Sequence, residues 1–167
     1  MAKGSVLHID FQQPSHLVFD RKMVRRAFVA IGQEHLRKSR QLISSRNGSA
    51  AGKNPGFRSG LLTQSIGYYV PNASKRRPGF MVRIAPNQKR GKGRTASIIG
   101  DYYPSFLLYG VRRGAKRGKS HKRGGSGGNG WRIAPRNNFM TEALGNLSPW
   151  TRYVLTQVLR RALKAER

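Results

Sequence analysis

The sequence contains no cysteine, and only six of its 167 residues are acidic, against 33 lysines and arginines. Without cysteine the chain can form neither disulfides nor thiolate metal sites. Six acids leave little material for the paired carboxylates of general acid–base catalysis. No two histidines have the spacing of metal ligands; they are His8, His16, His35 and His121. The sequence therefore predicts a protein that is not an enzyme and that has no metal or cofactor.

Two local patterns that resemble catalytic features are better explained in other ways. Asp101 is the acid of an aromatic stretch, where it suits a helix cap or an ion pair. Residues 114–120 resemble a phosphate-binding Walker loop, but the spacing between the glycines is one residue too short. The glycine-rich stretch that follows cannot form the helix that such a loop requires.

Long hydrophobic runs are absent as well. No stretch has the length and apolarity of a transmembrane helix, and no signal-peptide pattern is visible at the start of the sequence. Hydrophobic residues make up 37% of the chain, which is enough for a modest core. We expect a single domain over residues 1–167, with a flexible, basic, glycine-rich loop at about residues 110–130 and no membrane contact.

Positive charge is the feature that the sequence has in excess. The formal net charge is +27, so a compact chain repels itself, and a dense anion nearby relieves that repulsion. Nucleic acid is the commonest anion of such density, and the release of its counterions would favour binding. An anionic membrane surface is the other candidate.

The cations are concentrated in two loops. Residues 110–130 contain eight glycines and seven lysines or arginines, a composition that can follow phosphates without reading bases. The alternative is a solvated loop that orders against an acidic neighbouring subunit. The residues that we expect to contact DNA or another polyanion are Arg112, Arg113, Lys116, Arg117, Lys119, Lys122 and Arg123, and in the preceding loop Lys89, Arg90, Lys92 and Arg94.

Hydrophobic periodicity predicts an α+β fold, in which a small antiparallel sheet packs against a long N-terminal helix and C-terminal helices, with long basic loops. The predicted helices are residues 17–44, 59–66, 104–109, 138–145 and 149–164. The predicted strands are residues 5–11, and 67–70 with 80–84 as a hairpin. Pro149 is expected near the start of the last helix.

The first long helix has two distinct faces. Its apolar stripe recurs at spacings of three and four and contains Val24, Ala27, Phe28, Ile31 and His35. The opposite face carries Arg21, Lys22, Arg25, Arg26, Arg37 and Lys38, and Asp20 fits an N-cap or a first-turn acid.

Several aromatic residues could stack on bases, but most of them lie in apolar stretches that favour a core or a subunit interface. The residues that we expect in packing or subunit contacts are Tyr102, Tyr103, Phe106, Trp131, Phe139 and Leu144.

Four segments, taken in order, resemble the tail-completion proteins of tailed bacteriophages, a family often described as minor tail protein Z or head–tail joining proteins. They are Phe57-Arg-Ser-Gly-Leu-Leu-Thr-Gln-Ser-Ile66, Val82-Arg-Ile-Ala-Pro86, Tyr102-Tyr-Pro-Ser-Phe-Leu-Leu-Tyr-Gly110 and Pro135-Arg-Asn-Asn-Phe-Met-Thr-Glu-Ala-Leu144. A C-terminal amphipathic helix completes the pattern. The chain departs from it at Leu108-Tyr-Gly110, where the family often has an acid before the glycine, as in Glu-Phe-Gly.

The resemblance implies a structural virion protein of the phage neck that joins the head or connector to the tail. Its partners would be identical subunits in a six- or twelvefold ring, portal or adaptor proteins, tail-tube or terminator proteins, and genomic DNA bound nonspecifically in the channel. Its location would be the virion, with assembly in the host cytoplasm. The alternative is a cellular nucleic-acid-binding protein of ribosomal or nucleoid type, which binds phosphates without sequence specificity.

Overall fold

A computed structural model describes residues 7–9, 17–43, 49–72, 79–88, 90–96, 98, 103–112 and 130–165. Its helices are α1 (Arg21–Gln41), α2 (Leu61–Ser65), α3 (Tyr103–Tyr109) and α4 (Phe139–Ala162). Its strands are β1 (Leu7–Ile9), β2 (Leu17–Phe19), β3 (Ile66–Tyr69), β4 (Phe80–Pro86), β5 (Val111–Arg112), β6 (Trp131–Ile133) and β7 (Leu163–Ala165). The α+β prediction is confirmed, with a long helix near each end of the chain.

The central sheet has three antiparallel strands in the order β1-β4-β3. The predicted hairpin is present, with Tyr68 opposite Ile84 in the β3–β4 register. Phe80 and Val82 are buried on β4, while Met81 between them is half-buried and Arg83 after them is exposed, as the alternating sequence predicts. The basic turn that connects these two strands lies outside the described residues.

Helix α1 begins four residues later than the sequence predicts. The Asp20 carboxylate accepts a hydrogen bond of 2.9 Å from the Met23 backbone and so caps the first turn. Residues 17–19 form β2 instead, because this apolar triplet pairs with β7. The buried stripe is the predicted one, and Gly32 within it brings α1 close to the sheet: a Cβ there would lie 2.7 Å from the Tyr68 ring.

The prediction of two helices over residues 138–145 and 149–164 is wrong, because α4 runs through Pro149 without a break. Proline removes one internal hydrogen bond and costs roughly 3 kcal/mol inside a helix. Burial on both sides offsets this cost: Phe139 and Ala143 are buried before the proline, and Thr151 and Leu155 after it. The side chain of Asn138 caps the start of the helix.

A half-open cavity of about 280 Å³ lies between α1, α4 and β4. Its lining is largely apolar and includes Ile31, Val82 and Leu144. Two other lining residues are His35 and Thr151, both buried, and Nε2 of His35 lies 3.1 Å from Oγ1 of Thr151. His35 is therefore a packing residue between the two long helices, and its burial lowers the pKa of the imidazole.

This lowered pKa predicts a pH-dependent stability. The folded chain holds His35 neutral, while the unfolded chain takes up a proton below the ordinary pKa of 6.5. The stabilisation is therefore complete above that pH and is lost as the pH falls below it, by at most about 1.4 kcal/mol per pH unit. Urea unfolding between about pH 7.5 and 5.5 measures the slope. We expect a shallower slope for His35→Gln; identical slopes would contradict the assignment.

Candidate polyanion-binding surface

The three acids among the described residues all have structural partners. Asp20 caps α1, and Glu34 pairs with Arg37, whose Nε lies 3.0 Å from the carboxylate. The Glu142 carboxylate accepts hydrogen bonds from the side-chain amides of Asn54 and Asn137, at 2.9 and 2.6 Å. Within the described part of the chain, no group of histidines and acids could hold a metal ion. These carboxylates are therefore engaged in the fold, and Arg37 is a surface cation that pairs with one of them.

The segment Arg90-Gly-Lys-Gly-Arg94 is docked on the fold. The Tyr68 N–H donates to the Lys92 carbonyl at 3.0 Å, and the Lys92 N–H donates to the Tyr68 carbonyl at 2.9 Å. Lys92 thus pairs antiparallel with β3, on the side that β4 leaves open. The sequence predicts a basic loop here, and the structure adds that its backbone is held along a sheet edge.

The two glycines of this segment are required by close contact. Both have positive φ, +102° at Gly91 and +89° at Gly93, a region that favours glycine. A Cβ at Gly91 would lie 1.9 Å from the Tyr68 carbonyl oxygen, and one at Gly93 would lie 2.4 Å from the Leu36 side chain. The glycines therefore permit the docking, while Arg90, Lys92 and Arg94 are exposed.

Arg40, a partly buried residue of α1, connects the docked segment to the core of the fold. Its guanidinium donates to the carbonyls of Thr63 and Ile66, at 3.0 and 3.1 Å, and to that of Gly93. Burial lowers the pKa of Arg40 from its ordinary value, yet arginine keeps its proton under all physiological conditions. One side chain of α1 thus connects the end of α2, the start of β3 and the basic segment.

A second connection closes the loop that contains the segment. The side-chain amide of Asn87 donates to the Ile98 carbonyl at 3.1 Å and accepts from its N–H at 2.8 Å. Because both ends of the loop are held, the three cations of the segment are presented on a fixed backbone. Less conformational entropy is then lost when an anion binds.

Arg112 lies at the base of the longer basic loop. It belongs to β5, which pairs with β6, and its guanidinium lies 5.3 Å from the centre of the Trp131 ring, a cation–π contact. Trp131 is 43% exposed, and a Cβ at Gly110 would lie 2.8 Å from its ring. The aromatic ring therefore contributes to this stem of two strands.

The other predicted polyanion contacts lie outside the described residues; they are Lys89, Arg113, Lys116, Arg117, Lys119, Lys122 and Arg123. The same is true of Asp101 and Tyr102 and of the Walker-like stretch. Among the predicted packing residues, Phe139 is buried within the chain's own core, Leu144 lines the cavity, and Phe106 is 36% exposed. Tyr103 begins α3.

Sequence reasoning did not identify Arg40, and it placed Arg25 on the solvent face. Arg25 is partly buried, because its guanidinium donates to the Val70 carbonyl at 3.0 Å and to the Asn72 side chain at 3.1 Å. A signal for the docked segment was present in the strict alternation of basic residues and glycine over residues 90–94. Such alternation suits an extended segment whose glycines pack closely against a neighbouring strand while its basic side chains point to solvent.

No family model, curated protein or solved structure matches this chain. Among the helices of the described residues, none is both long and apolar enough to cross a membrane.

The close contact at Gly91 predicts a destabilising substitution. In Gly91→Ala the new methyl group would overlap the Tyr68 carbonyl, so the segment must detach from β3 or the backbone must shift. We expect a loss of about 1–3 kcal/mol in the free energy of unfolding, measured in urea. The matched control is Gly145→Ala in α4, where nothing lies within 4 Å of a Cβ. It should be neutral or stabilise by up to about 1 kcal/mol; equal effects would contradict the docking.

Proposed function

We propose that this chain is a non-enzymatic structural protein of a phage neck, where it contributes to a ring around the DNA channel and contacts the DNA backbone without reading its sequence. The observation that carries the DNA contact is the docked segment, in which Arg90, Lys92 and Arg94 are exposed on a backbone fixed by Tyr68. The order of the four family-like sequence segments carries the setting in the neck.

The chemistry of the segment favours phosphate contact over base reading. Its cations are flexible side chains spaced by glycine along a sheet edge, which can reach successive phosphates on a nucleic-acid strand. Base reading in the major groove uses an exposed helix or ribbon with fixed polar groups. Trp131, an aromatic candidate for stacking, already contacts Arg112.

Exposed apolar side chains support assembly with other subunits. Large hydrophobic residues with about a third or more of their surface exposed occur at several places; they are Phe57, Leu61, Phe106, Tyr109, Trp131, Trp150, Tyr153 and Leu163. Aromatic residues on a surface are typical of protein–protein interfaces. A chain with a modest core also gains stability from burying such side chains against identical copies.

The DNA contact is tested by the salt dependence of binding. For a mixed-sequence duplex of about 20 bp, the logarithm of affinity should fall steeply with the logarithm of salt concentration between about 50 and 200 mM. The triple variant Arg90→Gln, Lys92→Gln, Arg94→Gln should reduce this slope by about 2–3, or about 0.9 for each lost phosphate contact. Fluorescence anisotropy measures both quantities.

A matched control removes three exposed cations elsewhere, as Lys53→Gln, Arg58→Gln and Arg152→Gln. It lowers the net charge equally and should change the slope by less than one contact. If both triple variants reduce the slope equally, binding follows net charge alone and the assignment of the segment is wrong.

The proposed ring is tested by measuring the molecular mass of the purified protein in solution. After nuclease treatment in high salt, the purified chain should form an assembly of six or twelve times its 18.7 kDa, measured by light scattering on a sizing column. A monomer that binds RNA as tightly as DNA would contradict the neck assignment and favour a ribosomal or nucleoid type of protein.

A further inference from the structure

We propose that helix α4 carries a contact between copies of this chain, in which two copies pack with their α4 helices antiparallel. The contact surface is called here the α4 stripe and consists of Gly145, Asn146, Pro149, Trp150 and Tyr153. The inference rests on the proposed function, since it names a surface through which identical subunits meet.

The α4 stripe is an outward face of its helix. Gly145, Pro149 and Tyr153 recur at spacings of four, which makes them neighbours on the helix surface, and the other two residues of the stripe lie beside them. All five are exposed, and Tyr153 is 64% exposed. Thr151, which contacts His35 of α1, is on the opposite side of α4. The stripe therefore faces away from the chain's own core.

Positive charge is sparse at the α4 stripe. Residues 137–151, which include four of its five members, contain no lysine or arginine, although these two types make up 33 of the 167 residues. Chains of net charge +27 repel each other, so two copies meet most favourably where neither presents a cation. An acidic partner would instead be drawn to the exposed lysines and arginines. The charge distribution therefore favours a second copy of this chain on the stripe.

Two residues of the stripe weaken α4 as an isolated helix. Glycine destabilises a helix interior relative to alanine, and a Cβ at Gly145 would meet nothing within 4 Å that requires glycine there. Pro149 has no N–H, so the Gly145 carbonyl has no helical donor four residues later. A second helix can approach closely over Gly145, and its Tyr153 hydroxyl is a donor suited to that carbonyl. The contact between copies thus gives both residues a role.

An antiparallel arrangement follows from the shape and the charges of the stripe. Pro149 is its middle residue, so pairing about Pro149 places Tyr153 of each copy over Gly145 of the other. Glu142 precedes the stripe and Arg152 borders it. In this pairing Arg152 of one copy lies about four residues, or about 6 Å along the helix, from Glu142 of the other. In a parallel pair like charges would meet, so the antiparallel pair is the favoured one.

The α4 stripe is small for an interface. From residue 145 to residue 153 it is about 12 Å long, so one such contact alone is weak and its aromatic side chains supply most of the affinity. Contacts with further neighbours add to it in a ring. The pair is two-fold symmetric, so a ring of twelve chains that uses it consists of six pairs.

The first experiment measures the mass of the full chain by light scattering, after nuclease treatment and at about 0.5 M salt, where charge repulsion is screened. The variant Trp150→Ser, Tyr153→Ser should fall to half the wild-type mass or less. Gly145→Ala should weaken association about tenfold, because its methyl group lies between the helices, yet it should keep or raise helix stability. This variant serves if thermal melting shows that the double variant is unfolded.

The second experiment uses the absence of cysteine from the chain. With oxidised glutathione as the oxidant, the variant Pro149→Cys should form a covalent dimer on a non-reducing gel, because the two thiols meet at the two-fold axis. The matched control is Thr156→Cys, which is exposed on the same side of α4. Its two thiols would lie about 21 Å apart along the helices and should not form a disulfide.

A further pair of variants tests the aromatic contact in the Pro149→Cys background. Adding Tyr153→Ser should reduce the yield of covalent dimer. Adding Tyr109→Ser, which removes an aromatic side chain 58% exposed on α3, should leave the yield unchanged.

The outcomes distinguish this inference from the proposed function. Equal cross-linking of the two cysteine variants, or the wild-type mass in the folded double variant, overturns the inference and leaves the ring if that mass equals six or twelve chains. A wild-type chain that is only a dimer and cross-links through Pro149→Cys supports the inference and overturns the ring. A wild-type monomer without cross-linking in the Pro149→Cys variant overturns both.

Discussion

A shortage of carboxylates is the constraint on which the rest of this structure depends. Partly buried arginines usually pair with acids, but here Arg25 and Arg40 donate hydrogen bonds to backbone carbonyls instead. Arg40 donates to three of them and Arg25 to one, so each guanidinium fixes the ends of strands and helices. Charge-assisted hydrogen bonds of this kind are stronger than neutral ones. The price is that the charge itself is not cancelled.

The remaining repulsion among the lysines and arginines couples the stability of the fold to the binding of an anion. The described part of the chain has three acids, each with a structural partner, and one of these partners is an exposed cation, Arg37, which pairs with Glu34. Three carboxylates cannot balance the exposed cations of that part of the chain. An anion that binds only the folded chain stabilises it by mass action. A chain of net charge +27 should therefore reach its full stability only when a polyanion or an acidic protein surface is present. In this sense the fold and the proposed function have the same electrostatic origin.

Local patterns predicted those parts of the fold that depend on local physics. The stripe on α1 and the alternation on β4 follow from periodicity, and Asp20 caps its helix as its chemistry suggests. The predictions that were wrong concern features that depend on contacts between residues far apart in the sequence. The pairing of β2 with β7 requires a strand more than 140 residues away, and α4 continues through Pro149 because side chains on both sides of the proline are buried in the core. No window of sequence contains this information.

The candidate site shows the same division. The composition shows that residues 90–94 are rich in cations and glycine. It does not show whether those glycines make the backbone flexible or allow it to pack closely against another element. Gly91 and Gly93 belong to the second kind, since a Cβ at either would collide with β3 or α1. The longer loop at about residues 110–130 has a similar composition, and there Gly110, too, has positive φ and close neighbours. A basic, glycine-rich stretch is therefore not flexible by composition alone. Where its glycines face a sheet edge, the backbone that carries its cations is ordered before the anion binds, and less entropy is lost on binding.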